Sequence, residues 1–581
     1  MSVRSSAVLL GLLAVIAGAC APAAPGSTGS AGQTSSGEVR TRPSQTLATV
    51  VRLEPVSLAV KAVTSTGTGV QFVTRVFNAD LDLVDGDDRV RPYLAEALPE
   101  LNTDTWRVFQ DGRMETSYRL KPNLNWHDGT AMTAEDFVFA LQVYKTPELG
   151  VAASSPINVM DDVLAPDPRT VVIQWKTLFP GAGVLSASGG SAGKFQALPR
   201  HVLEAPLRQN APDTFASHPF WSHQYVGLGP FKLEHWEPGS YVEGSAFDGH
   251  VLGRPKIDKI QVRFIPDENT ALANLLSENV HMATDRAVRF EHTQVMRREW
   301  ESNRRGQVLP TISLVRYVKM QNRPEFVSPP AMLDLRVRRA IASSVDKTAL
   351  SDGVFDGQAT LADTFVSPDV PNYADIDRAL MKYPFDPRRS ADLMSEAGLT
   401  KDRDGFFASP SGERFNPVFW EESGSQNEKE LNVFVDTWRR AGFDMQTFVI
   451  PAVQLRDTQL RSSYPAMYTT QGGASTEERL DVFASFNIPT ANNRFTGNNY
   501  GGWINPEYDA EWTKFTTTLG RAERNQHLVQ MLRIVSEEVP AIPIYFNMAP
   551  TAYLSTLNGP TMGARVPDAR IYWDIHEWDW R

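Results

Sequence analysis

The chain has 581 residues, 42% of them apolar and 22% charged, with 57 Lys+Arg against 68 Asp+Glu and a formal net charge of −11. That composition is too apolar for a disordered chain and too acidic for sequence-independent nucleic-acid binding, which needs a basic stripe to release counterions. A single Cys builds neither a disulfide framework nor a Cys-rich zinc site, and at about 150 residues per domain the length implies three or four domains.

The N-terminus carries an address. Arg4 supplies a positive charge, and Ala7 to Ala19 is an uncharged run rich in Leu, Val and Ala. The run is shorter than the about 20 residues a spanning helix takes, and suits the apolar stretch of a secretory signal. It ends in Ala17-Gly18-Ala19-Cys20, and the chain's one Cys at that point resembles the lipobox of bacterial lipoproteins, in which the Cys becomes the acylated mature N-terminus. Residues 1–20 are expected to be a lipoprotein signal peptide. Residues 21–46 are expected to be a flexible tether, because Ala, Pro, Gly, Ser, Thr and Gln bury too little apolar surface to offset chain entropy.

Beyond the tether, Leu47 to Val51 reads as a strand, and Tyr118 to Leu120 as a short alternating one. Trp126-His127-Asp128-Gly129 has the chemistry of a tight turn. Thr133 is expected to cap a helix through Leu141, with Glu135 and Asp136 in its first turn. Arg169 to Trp175 and the segment ending at Ile265 read as strands, and Asn269 to Leu276 as a helix. Asp334 to Lys347 is expected to form one basic amphipathic helix, with Arg336, Arg338 and Arg339 solvated or paired with acids. Two more helices, Tyr383 to Ala397 and Glu428 to Ala441, are stopped by Gly398 and Gly442. Helices alternating with short strands define a mixed α/β class.

Catalytic motifs fail on their context. Gly189-Gly190-Ser191-Ala192-Gly193 matches a hydrolase nucleophile pattern, but small residues precede it where a buried strand is required. Asp402-Arg403-Asp404-Gly405 lacks the later ligands of a calcium loop, and the His residues form no zinc-helix spacing. A secreted hydrolase using Ser191 or a carboxylate pair is the alternative to the reading that follows; no cofactor or metal site is expected.

Several stretches together resemble the family 5 extracellular solute-binding proteins, the receptors of peptide, nickel and oligosaccharide ABC importers. They are Arg91-Pro92-Tyr93-Leu94-Ala95-Glu96, the block from Tyr118 through Asp128-Gly129 to Phe137, and Gly227-Leu228-Gly229-Pro230-Phe231. Leu333 to Ala340 with Val345-Asp346-Lys347, Asn505-Pro506-Glu507-Tyr508-Asp509 and Val539 to Tyr545 follow in the same order.

The resemblance implies an α/β periplasmic-binding-protein type II fold, two lobes around a hinge with an extra inserted domain. Lobe I takes 47–84, 224–306 and 540–581; the extra domain takes 85–223, and lobe II takes 307–539. It further implies a monomeric, non-enzymatic receptor, held to the membrane through Cys20. Such a receptor delivers a peptide or other small polar solute to an ABC permease and its ATPase subunits, and needs no nucleic acid. Peptide-binding members place an Asp close behind a Trp in lobe II. Here Gly472 and Ser475 stand at those positions, with Glu477 and Glu478 nearby. Gln471, Gly472, Gly473 and Ser475 are therefore expected to line the cleft, with Trp420, Tyr500, Trp503 and Tyr545 as apolar walls.

Overall fold

The computed structural model describes residues 46–60, 71–87, 89–149, 155–185, 195–209, 211–368, 370, 372–451, 454–455, 457–472, 477–493, 495, 497–561 and 571–581. Its centre is one 11-stranded sheet. From one edge the order is Gln446–Ile450, Val418–Glu422, Met467–Gly472, Gly306–Met320, Ala541–Leu554, Met282–Ala283, Thr46–Val51, Lys259–Phe264, Tyr241–Ala246 and Phe231–Glu237, with Thr360–Leu361 paired beside Ala541–Leu554.

Thr46–Val51 runs parallel to both of its neighbours, and Leu47, Val50 and Val51 are buried. A near-continuous apolar run is what a strand covered on both faces requires. Val418–Glu422 likewise runs parallel to Gln446–Ile450 and Met467–Gly472. The sheet therefore contains two parallel sets, one ending at Val51, Phe264 and Ala283, the other at Glu422, Ile450 and Gly472.

Two long antiparallel strands join the sets. Gly306–Met320 has 15 residues and Ala541–Leu554 has 14, paired from Gly306 opposite Leu554 to Lys319 opposite Ala541, with register shifts between Ile312 and Val315 and between Arg316 and Tyr317. Val308, Leu309, Ala552, Tyr553 and Leu554 pack with the cores built on residues 47–300 and the C-terminal segment. Val315, Tyr317, Val318, Met320, Ala541, Ile542 and Ile544 to Phe546 pack with cores built on residues 315–546 and Phe290. The change of core thus falls inside both strands, beyond Gln307 and Pro540, where the register shifts bend the ladder.

Residues 85–223 contain their own four-stranded sheet, in the order Trp106–Val108, Met114–Arg119, Thr170–Trp175, Met160–Asp167. Its alternating buried residues, Val171, Ile173 and Trp175, share one apolar cluster with Leu47 and Phe231 of the main sheet and Phe77 of the Gln71–Phe77 helix.

Several elements differ from the sequence expectation. Asp334 to Lys347 forms two helices, Leu335–Ser343 and Lys347–Phe355, because Asp346 accepts from Ala349 N at 2.9 Å and caps a new start. Arg338 and Arg339 are neither solvated nor paired with carboxylates; their guanidiniums donate to the carbonyls of Glu538 and Glu537, at the end of the Arg521–Glu538 helix. Cations there satisfy orphan carbonyls and the negative end of the helix dipole. Thr133 does not cap Glu135–Lys145 with its hydroxyl; the buried Asp136 carboxylate reaches back instead, accepting from Thr133 N at 2.9 Å and from Arg200 N at 3.0 Å. Tyr383 to Asp386 is not helical, and the helix begins at Pro387.

The Gly227-Leu228-Gly229-Pro230 stretch has a packing reason. A Cβ on Gly227 would stand 2.1 Å from Phe77 O, and one on Gly229 would stand 2.3 Å from Asn78 N. His127, from the Trp-His-Asp-Gly turn, accepts from Gly227 N through Nδ1 at 3.2 Å and bonds Gly229 O through Nε2 at 3.0 Å. Burial pushes the His127 pKa down to about 4, so the neutral ring joins the two motifs. Gly229→Ala is expected to cost about 3 kcal/mol by backbone overpacking, read as a lowered urea midpoint with the denaturant slope unchanged.

Candidate functional site

In open α/β sheets, ligands bind in the crevice outside the carboxyl ends of the strands. Here the segments leaving the two parallel sets touch one another. The Phe290–Glu301 helix follows the first set and the Ser425–Ala441 helix follows the second. Glu291 at the start of one pairs with Lys429 of the other, and Lys429 together with a Ser425 hydrogen bond holds the Glu291 carboxyl below the usual range. Phe290 packs edge-on against Phe355 at 5.4 Å, and Phe355 against Tyr545 at 5.0 Å.

Beside this junction lies a buried polar network. Arg316, on the first long strand, donates through Nε to Glu430 at 2.7 Å and through Nη2 to Glu421 at 2.8 Å and Asn427 at 3.0 Å. The Arg316 side chain is 2% exposed and both Glu side chains 0%. Burial opposes the guanidinium charge, but the two carboxylates outweigh it and keep Arg316 protonated. Burial pushes Glu421 up to about 8, against Arg316 and with Glu430 adding repulsion.

The network continues toward the strand ends. Tyr545 donates its hydroxyl to Glu430, Gln426 Nε2 bonds Glu430 at 2.9 Å and Asn547 at 3.3 Å, and Asn547 Nδ2 donates to Gln471 Oε1 at 2.9 Å. Gln471 is half-buried at the end of its strand, opposite Arg316 in register, and its Nε2 has no partner among the described residues. Gly472 ends the strand against Tyr317: a Cβ there would lie 2.9 Å from the phenol oxygen.

The predicted site residues thus separate. Gln471 and Tyr545 share the Arg316 network. Trp420 and Tyr500 share a different apolar group with Ile450, Tyr464 and Tyr468. Trp420 packs tilted at 4.7 Å against Phe448 of the edge strand, and the buried Lys319 ammonium sits 4.0 Å from the Tyr500 ring. Trp503 packs against Tyr508 at 5.3 Å in a separate core. Gly473, Ser475 and Ser191 lie outside the described residues, as does the Glu478 side chain. Arg316, Gln426, Glu430 and Asn547 carry the network, yet no local motif marks them; an Arg in an apolar strand pattern was the available signal. Among the described residues no group of three or more His, Cys, Asp or Glu is placed to hold a metal.

The model for "Bacterial extracellular solute-binding proteins, family 5 Middle" matches residues 96–494. The chain belongs to the family 5 extracellular solute-binding proteins. This solute-binding protein is 22% identical over 497 residues to the oligopeptide-binding protein AppA of Bacillus subtilis, covering 84% of this chain and 83% of that one. It superposes with TM-score 0.75 on NikZ from Campylobacter jejuni in complex with Ni(L-His), at 20% identity, over 92% of this chain and 100% of that one. The Thermus thermophilus oligopeptide-binding protein complexed with a pentapeptide gives 0.74 at 20% identity, over 92% and 96%. The fold is the type II periplasmic-binding-protein fold, and the relatives are binding proteins, which leaves the hydrolase alternative without support.

Removing Arg316 from this solute-binding protein leaves two buried carboxyls uncompensated. Arg316→Met is expected to cost about 3–5 kcal/mol in urea unfolding. Glu421 sets a pH slope. With its folded pKa about 8 against an ordinary 4.5, the folded state holds the extra proton between those values, and stability is lost as pH rises through that window. Glu421→Gln is expected to flatten that loss, measured as the urea midpoint at about pH 5 and about pH 8.

Proposed function

We propose that this protein is a lipid-anchored, extracytoplasmic receptor of an ABC importer. It captures a peptide or other small polar solute between two lobes and presents it to a membrane permease and its ATPase subunits. It acts as a monomer and makes or breaks no bond. The observation that supports the reading is the contact, through Glu291 and Lys429, of the helices that follow the two strand sets. Two long strands are the covalent path between the sets, an arrangement suited to hinge closure.

In this reading lobe I comprises 47–84, 224 to about 309 and about 549–581, lobe II about 315–546, and 85–223 the insertion; these limits follow the change of hydrophobic core along the long strands. Gln471 and Gly472 line the cleft, continuing into Gly473 and Ser475. Trp420 and Tyr500 form an apolar group beside it. Small residues and a carboxamide at the strand end suit hydrogen bonding to a polar ligand. Oligopeptide and nickel–histidine binding by the relatives support the solute class.

Cys20 carries the anchor in this reading. Its acyl chains, at about 0.8 kcal/mol per buried CH₂, hold the receptor on the membrane, and among the described residues no helix is long and apolar enough to cross one. Cys20→Ser is expected to move the protein from the membrane to the soluble fraction on cell fractionation. A thermal-shift screen of peptides, sugars and metal chelates tests the receptor role: the true solute stabilises by RT ln(1+[L]/Kd), about 2.7 kcal/mol at a hundredfold excess over Kd, without turnover. Product formation, or stabilisation by no compound, overturns it.

A further inference from the structure

The end of the sheet away from the crevice carries both the start of the first strand and a cluster of arginines. Thr49, Met282, Tyr553 and Gln307 stand in one row across four adjacent strands. Thr46 lies three residues beyond that row, at the start of its strand, and Gly306 lies one residue beyond it. Arg304 and Arg305, which lead into Gly306, therefore stand at the same end as Thr46, about 14 Å away across three strand spacings. Ser555 N donates to Arg305 O at 2.8 Å and ties the neighbouring strand to this turn. The Phe290–Glu301 helix starts beside the crevice and returns toward Gly306, so its last turns bring Arg297 and Arg298 to the same place.

An open hollow of about 610 Å³ forms there, lined by Arg297, Arg298 and Arg304 together with Trp300, Gln294 and Gln307. Trp300 is buried against Gly306, where a Cβ would lie 2.5 Å from the indole ring, whereas the three arginines are exposed. Arg304 N donates to Trp300 O at 2.7 Å and closes the helix end. Arg304 does so at a φ of 53°, a left-handed stop that usually falls to glycine. Charge on this rim is not balanced. Arg305 pairs with Glu278, and Glu299 comes only within 4.0 Å of Arg298. Among the described residues no carboxylate lies within ion-pair distance of Arg297 or Arg304. Along the chain, Arg297, Arg298, Arg304 and Arg305 stand against Glu299 and Glu301.

We propose that this end of lobe I rests on the membrane surface, with Arg297, Arg298 and Arg304 receiving the phosphate headgroups of anionic lipids. The inference rests on the lipid anchor of the receptor reading and adds where the body meets the bilayer. Residues 21–45 separate Cys20 from Thr46. A tether of that length spans about 25–30 Å on average, which keeps the Thr46 end of the sheet, and the arginines with it, near the lipid. Attraction between a basic cluster and an anionic surface fades within a Debye length, so the tethered end feels it most. Guanidiniums meet phosphate through charge-assisted, bidentate hydrogen bonds, and the open hollow admits a headgroup. The chain as a whole carries −11 and is repelled by such a surface, so a local positive end decides which way the body turns. With that end down, the crevice at the opposite ends of the strands faces away from the lipid and stays open to solute.

The test uses the full chain carrying Cys20→Ser, purified in detergent and exchanged out of it, so that no acyl chain decides the outcome. Flotation with vesicles of phosphatidylcholine alone is compared with flotation with vesicles of phosphatidylcholine and phosphatidylglycerol. The expected result is binding to the phosphatidylglycerol vesicles alone, abolished by high salt. Arg298→Gln and Arg304→Gln are each expected to weaken it about fivefold, the share of one arginine near an anionic surface, with the melting temperature unchanged. Arg403→Gln removes the same charge from an exposed site in lobe II and is expected to leave binding as it was. Should one rim variant fail to fold, the other carries the comparison. Binding that is absent, equal on both kinds of vesicle, indifferent to the rim variants, or weakened as much by Arg403→Gln overturns the inference and leaves the receptor reading standing. A Cys20→Ser chain that stays with the membrane on cell fractionation, while flotation discriminates as expected, overturns the anchor and leaves the basic surface standing.

Discussion

The structure depends on one antiparallel pairing. Gly306–Met320 and Ala541–Leu554 run side by side through the middle of the sheet and belong to two cores at once. Each strand spends one half among residues 47–300 and the C-terminal segment, and the other half among residues 315–546 and Phe290. A sheet carried through unbroken lets both parallel sets keep their backbone hydrogen bonds without a buried edge. The register shifts near Ile312 and Arg316 place the change of direction where the cores change.

The Arg316 network fastens the second half at that place. Its members come from five elements: Arg316 and Tyr545 from the two long strands, Glu421 from Val418–Glu422, Gln426 and Glu430 from the helix that follows, and Gln471 from Met467–Gly472. A buried ion pair is weak evidence for stability, since apolar residues of similar volume often do as well. Its geometry is more informative. Arg316 orders the Gln426–Asn547–Gln471 chain of amides, and so sets the orientation of a carboxamide at the strand end where a ligand would arrive. The network is better understood as positioning than as ballast.

Legibility in the sequence followed the range of the interactions. Local rules held where the determining contact is local. Gly398 and Gly442 take φ of 84° and 108° as helix stops, Asp386 caps Pro387–Glu396, and Leu47 to Val51 is a strand. They failed where a distant partner decides. The single helix across Asp334 to Lys347 gave way to a cap at Asp346. Of the arginines read as solvated or acid-paired, Arg336 pairs with Asp334, while Arg338 and Arg339 dock instead onto a helix end about 200 residues away. The ordered blocks of motifs carried the family because they encode packing, as the glycines over Phe77 and Asn78 make plain. The site was less legible. Gln471 reads as polar and strand-terminal from its own neighbours, but Asn547 and Gln426, which orient it, are 76 and 45 positions away and carry no motif. Among the aromatics, Trp503 went to a core, since a ring in a Tyr- and Phe-rich segment gains as much from burial as from a ligand.

The two sides of the crevice differ in how their charge is settled, and that difference bears on selectivity. On the second side Arg316 and Glu422 are already matched. Arg316 faces two acids, and Glu422 accepts from Tyr468 at 2.6 Å and lies 3.4 Å from Arg461. A ligand charge arriving there has to displace a partner. On the first side burial and the neighbouring Arg289 and Arg286 disfavour the Arg52 charge, and Asp285 and Glu268 favour it. In the receptor reading, closure is explained only by a ligand that binds the closed form better than the open one.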